Sequence, residues 1–264
     1  MSIAIEDRKT KKGSHDTDLT EGRASVLRAL QLLDVFTGDQ PTLGVSDIGR
    51  RAGIPTSTVH RLLSHLVKGD FVAKEGSSYR LSDRLFELGN KVGHSRPKGL
   101  RCTAAPFLGE LFGATRLTTH LAVLDGPQVL IVDKVVGLST YPSRTDIGGR
   151  YPAFCTSLGK AMLAFEPEAQ IRAAIAAGMP RRTRHTLTSP AALLQELAQT
   201  RTTRLAYDRE EATLGQMCVA APILRDGRAV GAISLSGAAH SYDVAAHGAA
   251  LVRITAQLGR KLGS

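Results

Sequence analysis

The sequence predicts an α+β protein in two parts, an N-terminal winged helix-turn-helix and a larger unit in which helices flank an antiparallel sheet. Three observations predict it. Residues 54–72, IPTSTVHRLLSHLVKGDFV, repeat Val59, Leu62, Leu63 and Leu66 at helical spacing, with Thr, Ser, His and Arg on the opposite positions. Two short extended runs around a Gly-Ser-Ser turn follow that helix. Further along, two pairs of apolar strands bracket the turn dipeptides Gly126-Pro127 and Asp226-Gly227. A chain of 264 residues, 42% of them hydrophobic, is long enough for two domains.

The elements follow in order. Residues 1–19 are polar, charged and aperiodic, and are expected to form a disordered tail. SVLRALQLLDVF puts Val26, Leu27, Leu30, Leu33 and the Val35-Phe36 pair on the stripe of a first helix, which the turn TGDQP ends. In VSDIGRRAGIP, Ser46 is the expected cap of a short helix with Ile48 and Ala52 inward and Arg50 and Arg51 outward, and Gly53 permits a tight turn. Pro55 separates this helix from the next, for which Thr56 or Ser57 is the expected N-cap and Gly69 the stop. FVAKEG and SSYRLSD read as a wing, with Phe71, Val72, Tyr79 and Leu81 packing back. Residues 20–82 thus form the helix-turn-helix domain, 83–98 a linker helix with Leu85, Phe86 and Leu88 on one side, and 99–264 the second domain. There a helix over CTAAPFLGELFGAT precedes the strands THLAVLD and QVLIVDKVV. The loop STYPSRTDIGGRYPAF leads to helices over TSLGKAMLAF, PEAQIRAAIAAG and PAALLQELAQTR. The strands CVAAPILRD and AVGAISLSG and a helix over 243–262 complete the chain.

Charge points to an anionic partner. The formal net charge is +10, and residues 50–98 hold ten Lys and Arg against four Asp and Glu, although the run RRTRH at 181–185 is as basic. A short helix, a Gly-containing turn and a second helix with a polar outer face would lay that second helix in the major groove of double-stranded DNA. Thr56, Ser57, Thr58, His60, Arg61 and Ser64 then face base edges, where Arg61 can donate two bonds to guanine. Arg50, Arg51, Lys68, Lys74 and Arg80, with Ser77 and Ser78 at the wing tip, are placed for phosphates. The bland alternative is a helical hairpin whose polar residues are solvated.

Other classes have less support. Cys102, Cys155 and Cys218 are too few and too far apart for a disulfide framework or a zinc site, which fits a reducing cytoplasm, and no metal or cofactor is implied. The N-terminus has charges where a signal peptide needs an apolar run, and no apolar stretch of about 18 residues offers a membrane span. An enzyme would have to use Cys155 or Cys218 as nucleophile with His120 or His185 as base, and a thiol redox sensor would use the same cysteines. No GxSxG, HExxH, P-loop or GxGxxG motif accompanies them.

Strand alternation marks a second site. In AVGAISLSG, Ala232, Ser234 and Ser236 share one side, and in the partner strand Cys218, Ala220 and Pro222 do so. A face of small and hydroxyl-bearing residues leaves space for a helix, water or a ligand.

SVLRALQLLDVF, VSDIGRRAGIPTSTVHRLLSHLVKGDFV and SSYRLSDRLFELG resemble the winged helix-turn-helix of IclR-family transcriptional regulators. YPAFCTSLGKAMLAF and CVAAPILRDGRAVGAISLSG resemble two motifs of that family's effector domain, and the likeness runs over about residues 22–262. It implies a GAF-like second domain that binds a small carboxylate or aromatic acid derivative. The implied lining is Cys155, Ser157, Leu158, Asp208, Cys218, Ser234 and Ser236, with Tyr141, Ile147, Tyr151 and Phe154 as an apolar wall. It further implies a homodimer or dimer of dimers, most simply acting as a repressor. Phe154 stands where many members have His, so the effector's identity does not carry over.

Overall fold

The structure, a computed structural model, describes residues 15–37, 40–95, 98–137, 145–240 and 244–263, with side chains from Ser25 in the first helix and from His247 in the last. Two compact units divide at residues 91 and 92.

In the first unit, α1 (His15–Asp34), α2 (Val45–Ala52) and α3 (Thr56–Lys68) pack with a three-stranded antiparallel sheet. Strand β3 (Ser78–Leu81) lies between β1 (Leu43–Gly44) and β2 (Val72–Glu75), with Glu75 opposite Ser78 across the Gly76-Ser77 turn. The core is Leu32, Phe36, Ile48, Ile54, Val59, Leu62, Leu63, Leu66, Val72 and Tyr79. The α3 stripe is therefore buried as its spacing predicts. Gly53 closes α2 in the left-handed region at φ 67°, a conformation that Cβ-bearing residues adopt only with strain.

Several local expectations are corrected. Helix α1 starts at His15, so residues 15–19 are helical rather than tail, while residues 1–14 lie outside the described residues. Of the predicted stripe, Leu33, Val35 and Phe36 pack on the core together with Leu32, whereas Val26, Leu27 and Leu30 are more than half exposed. The stripe holds at the end of the helix and fails in the turns before it, because the helix offers apolar residues on two sides. Neither Ser46 nor Thr56 nor Ser57 caps a helix: Gly44 and Pro55 hold the N-cap positions without a side-chain bond, and Pro55 fixes the entry angle by its own φ. Gly69 holds the C-cap of α3 as expected, and the positive φ of the turn falls on the next residue, Asp70. Finally, α4 (Asp83–Gly89) is shorter than the expected linker helix, and a 3-10 turn follows at Gly93–Ser95. It buries no residue, so packing does not extend it, and Asn90 caps its end, with both its N–H (3.0 Å) and its Nδ2 (2.8 Å) donating to the carbonyl of Phe86.

The second unit is a six-stranded antiparallel sheet in the order β6-β5-β4-β9-β8-β7. Its centre is two long hairpins, β4 (Thr118–Asp125) with β5 (Gln128–Val135) and β8 (Gln216–Arg225) with β9 (Arg228–Ala238), turning at the two predicted dipeptides. β6 (Arg150–Pro152) and β7 (Ala206–Arg209) form the edges. Neither is long enough for a sequence period to show, and both fall in stretches that read as loop. One face of the sheet, through Leu121, Val219, Ala221, Ile233 and Leu235, packs on α5 (Leu100–Thr115) and α9 (Val244–Gly263). The other, through Ala122, Ile131, Ala220 and Ala232, packs on α6 (Ser157–Leu163), α7 (Glu168–Ala176) and α8 (Pro190–Thr203). Small residues on that second face let α6 come close. Gly159 lies backbone to backbone against Ala153 in the 3-10 turn that precedes α6, where any Cβ would collide.

Candidate functional site

On the first unit, Thr56, Ser57, His60, Arg61 and Ser64 are exposed on α3 and Thr58 is half-buried. His60 and Arg61 have no hydrogen-bond or ion-pair partner among the described residues, so their donors point to solvent. Ser64 differs, because its hydroxyl donates to the carbonyl of Arg61 at 2.7 Å. The basic residues around the helix divide likewise. Arg50 pairs with Asp47 at 2.8 Å with both side chains exposed, a contact that competes weakly with an external anion. Arg51 is tied to Gln40 Oε1 at 2.5 Å and to the carbonyl of Val35 at 3.4 Å. Arg80 holds Glu75 at 2.5 Å across the wing strands and donates to its neighbour's carbonyl at 3.0 Å. Lys68, Lys74 and Ser77 are exposed, with Lys74 on β2 and Ser77 in the wing turn; Ser78 is half-buried on β3.

The second unit closes a cavity of about 70 Å³ between the sheet and α6. His120 enters from β4, Val129 and Ile131 from β5, Tyr151 from β6, Asp208 from β7, Cys218 from β8, and Ser234 and Ser236 from β9. Thr156, Ser157 and Leu158 close it at the start of α6, with Thr145 on one side and Ala212, Thr213 and Gln216 on the other. The strand register explains the hydroxyl face, since Cys218 lies opposite Ser236 and Ala220 opposite Ser234. Seven of the predicted effector residues thus meet here: Tyr151, Ser157, Leu158, Asp208, Cys218, Ser234 and Ser236.

Three others do not. Phe154 and Cys155 sit in the 3-10 turn before α6 and point into the core beneath it, and Ile147 is 53% exposed. The turn rotates 154 and 155 away from the cavity, which adjacency in sequence does not reveal. Tyr141 lies outside the described residues. His120, which the sequence offered as a base for an enzyme, instead lines the cavity from β4, the strand that pairs with the Ser-bearing β9. Thr145, Thr213 and Gln216 were missed, being loop or strand-end residues without a pattern. A wider cleft of about 560 Å³ beside α9, lined by Arg204, Arg225 and Arg260 among apolar residues, contains none of the predicted residues except Pro222.

Electrostatics set the character of the cavity. Burial, assisted by Lys134, pushes His120 down to about 3, so the imidazole is neutral. Its Nε2 bonds to the Thr145 hydroxyl at 2.7 Å, and its Nδ1 lies 3.4 and 3.5 Å from the hydroxyls of Ser234 and Ser236. Cys218 Sγ is 3.1 Å from Ser236 Oγ. Burial and the neighbouring Glu211 push Asp208 up to about 7. Burial also pushes the Cys155 thiol up to about 12 and raises Cys218. Both thiols stay protonated at neutral pH, which opposes their use as nucleophiles or redox sensors. Behind the cavity, the fully buried Lys160 ammonium lies 2.6 Å from Glu211 and 3.4 Å from Glu196.

A winged helix with an open polar helix face, joined in one chain to a sheet domain with a small, mainly apolar cavity that a few polar groups enter, defines a DNA-binding regulator with a sensor domain. Residues 25–76 match the IclR helix-turn-helix domain, and residues 96–261 match the bacterial transcriptional regulator IclR C-terminal domain. The chain belongs to the IclR family of transcriptional regulators. It is 37% identical over 216 residues to the HTH-type transcriptional regulator XynR of Escherichia coli, covering 80% of this chain and 85% of that one. It is 32% identical over 244 residues to the transcriptional repressor IclR of Escherichia coli, covering 90% and 88%. Among solved structures, an IclR homolog from Microbacterium hydrocarbonoxydans complexed with 4-hydroxybenzoate superposes with a TM-score of 0.78 at 24% identity, covering 90% of this chain and 97% of that one.

Proposed function

We propose that the chain is a cytoplasmic repressor whose residues 20–82 bind operator DNA and whose residues 99–264 release it in response to a small organic acid. The observation that carries the sensor half is the cavity itself: a neutral imidazole, two serine hydroxyls, a thiol and a carboxyl converge on a space that the apolar core does not fill. Size selects among the acids. A cavity holding benzene measures roughly 150 Å³, so about 70 Å³ suits an acid of two to four carbons, and an aromatic acid enters only if a wall moves. No helix among the described residues is long and apolar enough to cross a membrane.

In the DNA-bound state, His60, Arg61, Thr56 and Ser57 read bases, while Lys68, Lys74 and Ser77 hold phosphates. Arg50 and Arg80 contribute only by exchanging their carboxylate partners for phosphate. The chain acts as a dimer, supported by the apolar residues Val26, Leu27 and Leu30 that α1 leaves uncovered. The effector alters operator affinity by binding the competent and incompetent arrangements unequally.

The test is a double substitution, Ser234→Val with Ser236→Val, measured by operator binding against glycolate, pyruvate and 4-hydroxybenzoate. The expected outcome is unchanged operator affinity in the absence of acid and loss of the acid response. A variant with an unchanged dose-response overturns the assignment of this cavity.

A further inference from the structure

The cavity and the ions beside it hold more buried carboxylate than buried cation. Asp208 is 4% exposed, and its Oδ1 accepts the amides of Glu211 and Ala212 at 2.7 and 3.3 Å, which leaves Oδ2 as the oxygen available to the cavity. Glu211 takes the Lys160 ammonium on Oε1, while its Oε2 is buried without a hydrogen-bond partner in the structure. Glu196 reaches the same ammonium but is partly exposed and shares Arg209 at 3.9 Å.

Among the described residues the other groups facing Asp208 offer no second cation, and the Lys134 ammonium on β5, beside His120, holds the carbonyl of Thr145 at 2.6 Å. Cys155 before α6 and Cys218 on β8 are protonated thiols, and His120 across the cavity is a neutral imidazole. Arg182 is exposed and its guanidinium donates to the carbonyl of Ala212 at 3.5 Å. One buried ammonium therefore serves two buried carboxylates. A buried anion without a cation of its own is costly, and the usual relief is a proton.

We propose that Asp208 is a carboxylic acid in the resting cavity, and that the effector is a small monoanion whose carboxylate accepts the Oδ2 proton. The proposal rests on the reading of this cavity as the effector site. The proton comes from solvent and stays on Asp208, so no covalent bond in the ligand changes. Where Asp208 is already protonated, binding takes up nothing, and affinity is level with pH. Above the midpoint near pH 7 each binding event draws in one proton, so affinity falls about tenfold per pH unit. A cation would show the opposite slope.

The test uses the full-length protein in two arms. Infrared difference spectra of the ligand-free protein between about pH 5.5 and 8.5 should show one carboxylic-acid carbonyl band titrating near neutrality, absent in Asp208→Asn. No such band, or one that persists in the variant, overturns the proposal. In the second arm, calorimetry with glycolate, pyruvate and 4-hydroxybenzoate should give affinity that falls above pH 7 in the wild type. Asp208→Asn keeps a donor at Nδ2 and should flatten the profile, and Glu211→Gln, which removes the like charge, should move the fall to lower pH. An acid that binds with a flat profile in the wild type overturns the coupling. Failure of all three acids to bind at any pH overturns the acid-effector reading, and the infrared band then reports the resident proton separately, so the two failures are distinguishable.

Discussion

Arg61 and Lys74 are both exposed cations, and the proposed mode of DNA binding gives them different work. Arg61 projects from the recognition helix without a competing partner, so its guanidinium is available for a bidentate contact to guanine. Arg61→Ala should cost about 1–3 kcal/mol of operator binding and relax discrimination against altered bases, measured by competition between operator and scrambled DNA. Equal losses on both DNAs would count against base reading. Lys74 lies on a wing strand and is assigned to phosphate in the proposed mode of binding. Lys74→Ala should weaken all sequences alike and reduce the slope of log affinity against log salt by about one, measured over a salt series. From the sequence alone Lys74 could not be separated from Arg50, Arg51 and Arg80. Those three pair with Asp47, Gln40 and Glu75, residues up to 11 positions away, and such contacts exist only after folding.

At the scale of elements, what was legible followed from periodicity. α3, with its four buried apolar residues, and the β8-β9 hairpin, with its Asp-Gly turn, were evident because their patterns run for ten residues or more. β6 and β7, of three and four residues, were not, although β7 carries Asp208 into the cavity. The start of α6 shows the same division. Its Gly-Lys pair was visible, but the reason for the glycine is a backbone contact with Ala153 that only the folded chain displays. Gly159→Ala should destabilise the protein by about 1–3 kcal/mol through overpacking, measured by urea unfolding followed by circular dichroism. An unchanged midpoint would mean that α6 can shift to admit the methyl group. Helix α1 marks the limit of pattern reading, because a helix apolar on two sides does not say which side its own domain buries.

For the whole molecule, that second side of α1 becomes the useful observation. Val26, Leu27 and Leu30 are exposed at 61, 67 and 53%, an apolar surface that a regulator reading a two-fold operator would cover with a second copy. Leu27→Glu with Leu30→Glu should shift the protein to monomers in sedimentation velocity. It should also lower operator affinity by about 100-fold or more, because two half-sites bound through one dimer gain that much from being linked. A variant that stays dimeric would move the interface elsewhere.

The contact at Gly159 also bears on how such a sensor acquires new specificities. With α6 seated backbone to backbone on the turn before it and β8 and β9 locked in a ten-pair register, the floor and one wall of the cavity have little freedom to vary. The turn at 210–215 is different: it is held by the amide bonds to Asp208, and it supplies Ala212 and Thr213 to the cavity. Substitution there redraws the chemical outline presented to a ligand while leaving the sheet untouched. A lineage carrying this fold can therefore drift toward a new inducer through one short turn, keeping its operator unchanged.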